Sequence, residues 1–227
     1  MEPAPGRLAP LPVDPDVMAR IHPMGRAHLR GVVRLHTAAM GHSLWAQLGP
    51  GFLHRIYGAL VEHPDFLGFV YVDQGRVRGF IAGTADGPRM MRQTFTRHAP
   101  GLALATARGF LRRPTAALPL AGTFRYHGLS KSDDGPDVAA ESMFCSFEPG
   151  LRGKKVAGLI NKVLFDELAA RGHRLVKITT EEDNAGAVRQ LTSWGFERAG
   201  SFRFYGKPML VWHLDLVQCE RVDHPAR

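Results

Sequence analysis

Cysteine is scarce in this sequence. Cys145 and Cys219 are the only two in 227 residues, and neither belongs to a CxxC motif or a Cys/His cluster. Two isolated cysteines argue against a disulfide framework and against a structural zinc site. We therefore expect no metal and a reducing, cytoplasmic environment.

Long apolar runs are absent as well. The closest approach, residues 102–120, is interrupted by charged residues and proline, namely Arg108, Arg112, Arg113 and Pro114. A bilayer core would penalise these interruptions heavily, so we expect no transmembrane segment. Residues 1–16 are rich in proline and lack the apolar core of a secretory signal, which predicts a loose N-terminal tail.

Acidic residues are missing from one stretch. Residues 87–132 contain eight basic residues and no Asp or Glu. The charge of this stretch, +8, equals the net charge of the whole chain. The remaining composition, 44% apolar and 22% charged, is that of an ordinary globular protein. The length suits one domain, which we place at 17–220, with a basic insertion at 85–138 and a C-terminal tail at 221–227.

The spacing of apolar residues predicts helices and strands on both sides of the insertion. Before it come helices within 25–47 and 52–60, then strands 67–73 and 77–84. The insertion is irregular, with helical character over 100–111. After it come strand 139–147, helix 153–171, strand 175–179, helix 184–194, and strands 197–205 and 209–216. This order predicts an α/β fold with a mixed sheet covered by helices.

The segment EPGLRGKKVAG, residues 148–158, joins a predicted strand to a predicted helix. Backbone N–H groups at a helix start lack intrahelical partners, and the helix dipole adds partial positive charge, so this segment predicts a phosphate site. Gly153 allows close approach, and Arg152, Lys154 and Lys155 add charge. The alternative is an ordinary glycine-containing turn with solvated lysines.

Two segments resemble motifs of one enzyme superfamily. The sequence AESMFCSFEPGLRGKKVAG resembles motif A of the Gcn5-related N-acetyltransferase (GNAT) superfamily, in which a strand and a turn precede Arg/Gln-x-x-Gly-x-Gly/Ala. Asn184-x-x-Ala187, followed by Gly195-Phe196, resembles the second family motif. The resemblance covers residues 139–216 and extends less specifically to 25–84.

The resemblance implies the GNAT fold, with splayed strands at an acetyl-CoA site and a helical insertion between strands 3 and 4. It implies that the pantetheine arm pairs with the main chain of Cys145, Ser146 and Phe147, and that Asn184 lies near it. A helix N-cap would also suit Asn184. The residues implied at the pyrophosphate are Arg152, Gly153, Lys154, Lys155, Val156, Ala157 and Gly158.

Two positions depart from the family pattern. Lys155 replaces the usual first glycine of the motif, which is tolerable if the residue adopts helical dihedral angles. Leu191 occupies the place where many family members have a tyrosine proposed to protonate the departing thiolate, and leucine cannot donate a proton. Tyr205 is a weak candidate for that acid, although a buried tyrosine with a structural hydrogen bond is commoner.

The candidate general base is Glu141. Its segment Glu-Ser-Met-Phe-Cys resembles the Glu-x-x-Phe-Cys of the histone-acetyltransferase branch, and strand alternation predicts that Glu141, Met143 and Cys145 share one face. A solvated or salt-bridged strand residue is the alternative. Glu181 and Glu182 are fallback bases. For Cys145 we expect packing rather than an acyl-enzyme role.

Together these features predict an acetyl-CoA-dependent N-acetyltransferase that transfers an acetyl or short acyl group directly to a primary amine, with a homodimer as one arrangement. The basic insertion favours an acidic small-molecule acceptor, such as a nucleotide-linked amino sugar. A peptide or protein amine is the alternative. A different class of function is a CoA-binding module attached through the insertion to an anionic membrane surface or to nucleic acid. Against nucleic acid, the sequence lacks the basic strand with interleaved aromatic residues that is typical of RNA binding.

Overall fold

The computed structural model describes residues 11–112, 138–204 and 206–223. Strands in this part of the chain form a sheet in the order β1-β2-β3-β4-β5-β7-β6, in which β4 and β5 are parallel and the other neighbours antiparallel. The predicted mixed α/β sheet is confirmed. The strands are β1 (Ile21–Pro23), β2 (Phe66–Asp73), β3 (Arg76–Thr84), β4 (Glu141–Phe147), β5 (Leu175–Glu181), β6 (Glu197–Phe204) and β7 (Lys207–Asp215).

Helices cover both faces of the sheet. They are α1 (Pro15–Met18), α2 (Leu29–Met40), α3 (Leu44–Gln47), α4 (Pro50–Leu60), α5 (Gly87–Arg97), α6 (Ala99–Arg112), α7 (Val156–Ala170) and α8 (Ala185–Trp194), with short 3-10 helices at Arg26–His28 and Pro149–Leu151. None of the helices in the described residues is long and apolar enough to cross a membrane.

Alternation along β3 divides the core into two parts. Phe80 and Ala82 pack with the helices α2 to α6 on one face, whereas Ile81 packs with α7 on the other. Both faces are fully buried at these positions. Because successive strand residues point to opposite faces, this strand serves as the reference for the side on which each residue of its neighbour β4 lies.

Two helices occupy the described part of the insertion, where the sequence predicted irregular structure with limited helical character. Helix α5 begins after Asp86, whose Oδ1 accepts a hydrogen bond from Arg89 N at 2.9 Å, and proline lies in its first turn. Its buried stripe is short and rests on Met90 and Met91. The capping signal Asp-Gly-Pro was therefore the available clue. The predicted helical insertion between β3 and β4 is confirmed, and residues 113–137 lie outside the described part.

Several boundaries differ from the prediction. Helix α7 begins at Val156 rather than near residue 153, because two residues before it have left-handed backbone angles. Residues 11–16, predicted as part of a loose tail, include the start of α1, capped by Asp14. Leu11 packs against the cluster on the α7 face.

Candidate active site

Strands β4 and β5 separate soon after they begin. They pair at Glu141 with Lys177 and at Ser142 with Ile178, and both strands then continue without further pairing to each other. The two parallel neighbours are therefore splayed, as the resemblance implied. Glu141 lies at the closed end of this gap, and the turn after Phe147 lies at the other end of β4.

A β-bulge lies at the closed end of the gap. Ala82 pairs with Phe144, whereas the next residue of β3, Gly83, pairs with Ser142, so Met143 is the extra residue. A Cβ on Gly83 would lie 2.9 Å from the carbonyl oxygen of Glu141, so glycine permits this close approach. The bulge therefore depends on the small residue opposite it.

The bulge changes which residues of β4 share a face. Glu141 pairs with Thr84 and Phe144 with Ala82, which places both on the α2 side of the sheet, while Cys145 pairs with Ile81 on the α7 side. The prediction that Glu141 and Cys145 share one face is therefore wrong, because an inserted residue shifts the period-2 pattern by one.

Glu141 is a half-buried carboxylate with a cationic neighbour. Its side chain is 23% exposed, and Oε2 lies 3.6 Å from Nζ of Lys177. Burial raises the pKa of Glu141, and the nearby Lys177 ammonium opposes that increase. A carboxylate with a raised pKa is better suited to accept a proton near neutral pH than an ordinary one. Sequence reasoning missed Lys177, because the β5 residue opposite Glu141 is fixed only by strand register.

The turn after β4 has the shape of an anion site. Gly153 has φ +79° and Lys155 has φ +60° with ψ −3°. Lys155 thus has left-handed backbone angles. The helical angles that were expected to make lysine tolerable at this glycine position are not observed. The first helical hydrogen bond runs from Leu159 N to Lys155 O, so the N–H groups at the start of α7 precede it and lack intrahelical partners. These groups belong to Val156, Ala157 and Gly158.

Arginines hold the start of this turn. Arg78 Nε donates a hydrogen bond of 2.9 Å to Oε2 of Glu148, and Arg34 Nη2 lies 2.9 Å from Oε1 of the same carboxylate. The bond from Arg78 and then that from Arg34 lower the pKa of Glu148. An open cleft of about 400 Å³ adjoins the turn on its α1 and β2 side, and Lys154 and Lys155 line it together with Asp14 and Asp73. The turn therefore combines N–H groups that lack intrahelical partners with the exposed side chains of Lys154 and Lys155.

The side chains of the implied pantetheine-binding segment have separate structural roles. Ser146 is buried and its hydroxyl donates to the carbonyl of Leu35 at 3.3 Å. Phe147 packs where Gly79 leaves room for its ring. Cys145 is an exposed residue, but the protein atoms around its thiol desolvate that group and raise its pKa to about 11. A thiol that stays protonated at neutral pH is a poor nucleophile.

The other candidate residues lie apart from Glu141. Asn184 caps α8, since its Oδ1 accepts from Ala187 N at 3.0 Å, and its cofactor contact stays a prediction. Leu191 is buried in the core. Arg152 is exposed on the turn. Tyr205 lies outside the described residues.

The fallback base Glu181 is already engaged. Its Oε1 accepts a hydrogen bond of 2.7 Å from Lys207 and lies 3.3 Å from Nε2 of His42. The bond from Lys207, followed by the charges of Lys207 and His42, lowers the pKa of Glu181. Glu182 is exposed. Glu141 thus differs from Glu181, because its pKa is raised and that of Glu181 is lowered.

Comparison with solved structures finds similar folds in acetyltransferases. The ribosomal-protein-S18-alanine N-acetyltransferase from Escherichia coli superposes with a TM-score of 0.54 and 13% identity, over 86% of this chain and 92% of that one. An N-acetyltransferase from Staphylococcus aureus Mu50 gives 0.54 and 15%, over 86% and 97%. The ribosomal-protein-alanine N-acetyltransferase from Brucella melitensis gives 0.53 and 16%, over 86% and 98%.

No protein-family model and no curated protein sequence matches the chain. At the low identities of the structural matches, the similarity shows the fold alone. The chain has the GNAT acetyltransferase fold, in which β4 and β5 are splayed.

Proposed function

We propose that this protein is an acetyl-CoA-dependent N-acetyltransferase that transfers an acetyl or short acyl group directly to a primary amine. One observation carries the proposal: a gap between β4 and β5 has a half-buried carboxylate, Glu141, at its closed end and an anion-binding turn after the other end of β4. From Glu141 to Phe147 the strand spans about 20 Å at roughly 3.3 Å per residue, which suits an extended arm.

The residues present fit acetyl-CoA, which would supply the acetyl group as a thioester. The N–H groups at the start of α7 and the side chains of Lys154 and Lys155 would hold its phosphates. The β4 edge that faces the gap has main-chain groups free from pairing with β5 after Ser142, and these can pair with an extended arm. Cys145, Ser146 and Phe147 belong to this edge.

Glu141 would remove the proton of the acceptor. A protonated amine has no lone pair for attack, so it must lose a proton before or during transfer. The raised pKa of Glu141 suits this step, and its position on the α2 side of the sheet supports an acceptor site on that side. The acid that protonates the departing thiolate stays unassigned among the described residues.

A basic cleft supports an acidic acceptor. It has a volume of about 650 Å³ between α4 and the α5–α6 pair. Its charged lining is mainly cationic, with Arg26, Arg55 and Arg97 against Glu62, which pairs with Arg26, and His54 and His98 also line it. Helix α5 begins beside the site, where a Cβ on Gly87 would lie 3.5 Å from Glu141 Oε2, and ends at this cleft about 15 Å away. An anionic group here would be about that far from the reacting amine.

A second candidate acceptor is a peptide amine. It is favoured by the named activity of two proteins with this fold, which are ribosomal-protein-alanine N-acetyltransferases. Transfer to a peptide would use the same base and the same donor. The two candidates differ in whether the basic cleft affects turnover.

A thiol-release assay tests the proposal. Acetyl-CoA and longer acyl-CoA donors are offered with nucleotide-linked amino sugars, neutral amino sugars, polyamines, amino acids and peptides. We expect acceptor-dependent thiol release, fastest with acidic acceptors. Binding of CoA without turnover of any acceptor, together with salt-sensitive co-sedimentation with DNA or anionic vesicles, would contradict the proposal and favour a binding module.

Two matched pairs of variants assign the parts. Glu141→Gln should lower kcat/KM by about 10²-fold, in line with loss of a general base, while Glu182→Gln on the exposed loop should stay near wild type. Arg97→Gln should raise KM for an acidic acceptor and leave a neutral one unaffected. Arg92→Gln on the same helix, outside the cleft, is its control.

A further inference from the structure

A row of polar side chains crosses the centre of the sheet. Strand register places Thr84 of β3 opposite Glu141 of β4, Glu141 opposite Lys177 of β5, and Lys177 opposite His213 of β7. Residues in register on neighbouring strands share a face. The row therefore lies on the α2 side, beside the candidate base, and it spans the two strands that separate to form the gap.

Lys177 and Glu141 are half-buried to the same degree. Their side chains are 22% and 23% exposed, and Nζ and Oε2 are 3.6 Å apart. At this distance the two groups form an ion pair but not a short hydrogen bond. A partly desolvated pair of opposite charges interacts more strongly than one on the open surface, because solvent screens it less.

We propose that Lys177 is a positioning residue for proton removal: its ammonium, on the strand across the gap, keeps the Glu141 carboxylate ionised and holds it at the closed end of the gap. This rests on the proposed function, in which Glu141 is the base. Lys177 acts through Glu141, which receives the proton.

Other charged groups near Glu141 are engaged elsewhere. At the start of α5, Arg89 bonds to Asp65 and lies 3.7 Å from Asp86. His213 lies beyond Lys177, where burial and the Lys177 charge lower its pKa, which favours the neutral ring. On the α2 face, burial lowers the pKa of His36 to about 4, so it is neutral as well. Lys177 is the charged group in the described residues that affects the pKa of Glu141.

The proton transfer balances with these groups alone. An N–H bond of the acceptor ammonium breaks, an O–H bond forms on Glu141, and the amine keeps the electron pair that attacks the thioester. Before transfer, Lys177 stabilises the carboxylate. It also disfavours a second positive charge beside it, which lowers the pKa of the bound ammonium and promotes its loss of a proton.

The pH dependence of kcat/KM tests the role of Lys177. In Lys177→Met the acid limb, which reports protonation of Glu141, should move to higher pH by roughly one unit, the low end of the effect of an opposite charge within 4–6 Å. Lys177→Arg should restore the wild-type limb. Arg174→Gln removes an exposed positive charge just before β5, where it pairs with Asp215, and should leave the limb unchanged.

A second readout needs no turnover. The Glu141 carboxyl is titrated by carbon-13 NMR in the acetyl-CoA-free protein, assigned with Glu141→Gln, and its midpoint should rise in Lys177→Met. An unchanged midpoint in a folded Lys177→Met protein would overturn the inference. A different result is also informative: the midpoint rises in Lys177→Met, but Glu141→Gln keeps full activity. The ion pair would then be supported, whereas Glu141 would not be the base and Lys177 would have no positioning role.

Discussion

His36 Nδ1 lies 2.9 Å from the hydroxyl of Tyr57, and both side chains are fully buried between α2, α4 and the sheet. The other ring nitrogen of His36 lies 3.3 Å from Oγ of Ser43. The imidazole also packs edge-on against Phe144 of β4, with ring centroids 5.1 Å apart. This polar pair therefore supports the strand that carries the candidate base.

The buried imidazole makes stability depend on pH. Burial lowers the pKa of His36 from 6.5 to about 4, so the unfolded chain takes up a proton over an interval in which the folded chain does not. Stability from this residue is complete above pH 6.5 and is lost as pH falls toward 4, by about 2 kcal/mol between pH 7.5 and 5. Urea unfolding at a series of pH values measures this loss.

His36→Gln is the matching variant, because glutamine keeps a polar side chain but does not titrate. Its free energy of unfolding should change less over the same pH interval than that of the wild type. Tyr57→Phe removes the hydroxyl but keeps the imidazole, so its pH dependence should persist. Equal slopes in His36→Gln and wild type would contradict this assignment.

Gly83→Ala should disturb the bulge. The new methyl group would lie 2.9 Å from the carbonyl oxygen of Glu141 and 2.9 Å from methyl groups of Leu164, so the backbone must move. We expect a loss of about 1–3 kcal/mol, as in overpacked cores, and reduced kcat. Gly200→Ala is the control, since nothing lies within 4 Å of its added Cβ and it too is in a strand. Thermal unfolding and turnover of both variants measure the difference.

Lys155→Gly should separate backbone strain from charge at the phosphate turn. Glycine removes the strain of the left-handed conformation, which is roughly 1 kcal/mol, but it also raises the conformational entropy of the unfolded chain. The free energy of unfolding should therefore stay level or rise slightly. Loss of the ammonium should raise KM for acetyl-CoA by about two- to five-fold. Lys155→Ala loses the same charge and keeps the strain. An unchanged KM in both would show that Lys155 contributes no charge to binding.

Glu148→Gln should displace the turn through its arginines. Glutamine has no charge and one acceptor oxygen in place of two, so the separate bonds of Arg34 and Arg78 that join α2 and β3 to the end of β4 cannot both persist. We expect KM for acetyl-CoA to rise with little change in kcat. The surface pair of Glu167 with Arg171 offers a control, Glu167→Gln, that removes an ion pair within α7. Comparable KM values for the two variants would refute the role of Glu148.

The regular elements and the glycine-containing turn after β4 could be predicted from the sequence, because apolar spacing and glycine positions are local signals. The face of Cys145 could not, because one bulge residue, invisible in the strand pattern, reverses the alternation after it. The contact of Lys177 with Glu141 could not be predicted either, because it depends on the register of two strands that are far apart in the sequence. Helix α5 carried a capping signal that its short apolar stripe obscured.

The bulge at Met143 can also be altered separately from the parts of β4 on either side of it. Residues before Met143 and residues after it follow opposite parities, yet Glu141 and Phe144 both stay in register with β3, opposite Thr84 and Ala82. Deletion of Met143 would therefore restore regular alternation and keep Glu141 on the α2 side, while Phe144 and Ser146 keep their packing. Such a shortened variant would measure what the bulge itself contributes, because the β3 partner of the carboxylate and the face on which it lies stay the same.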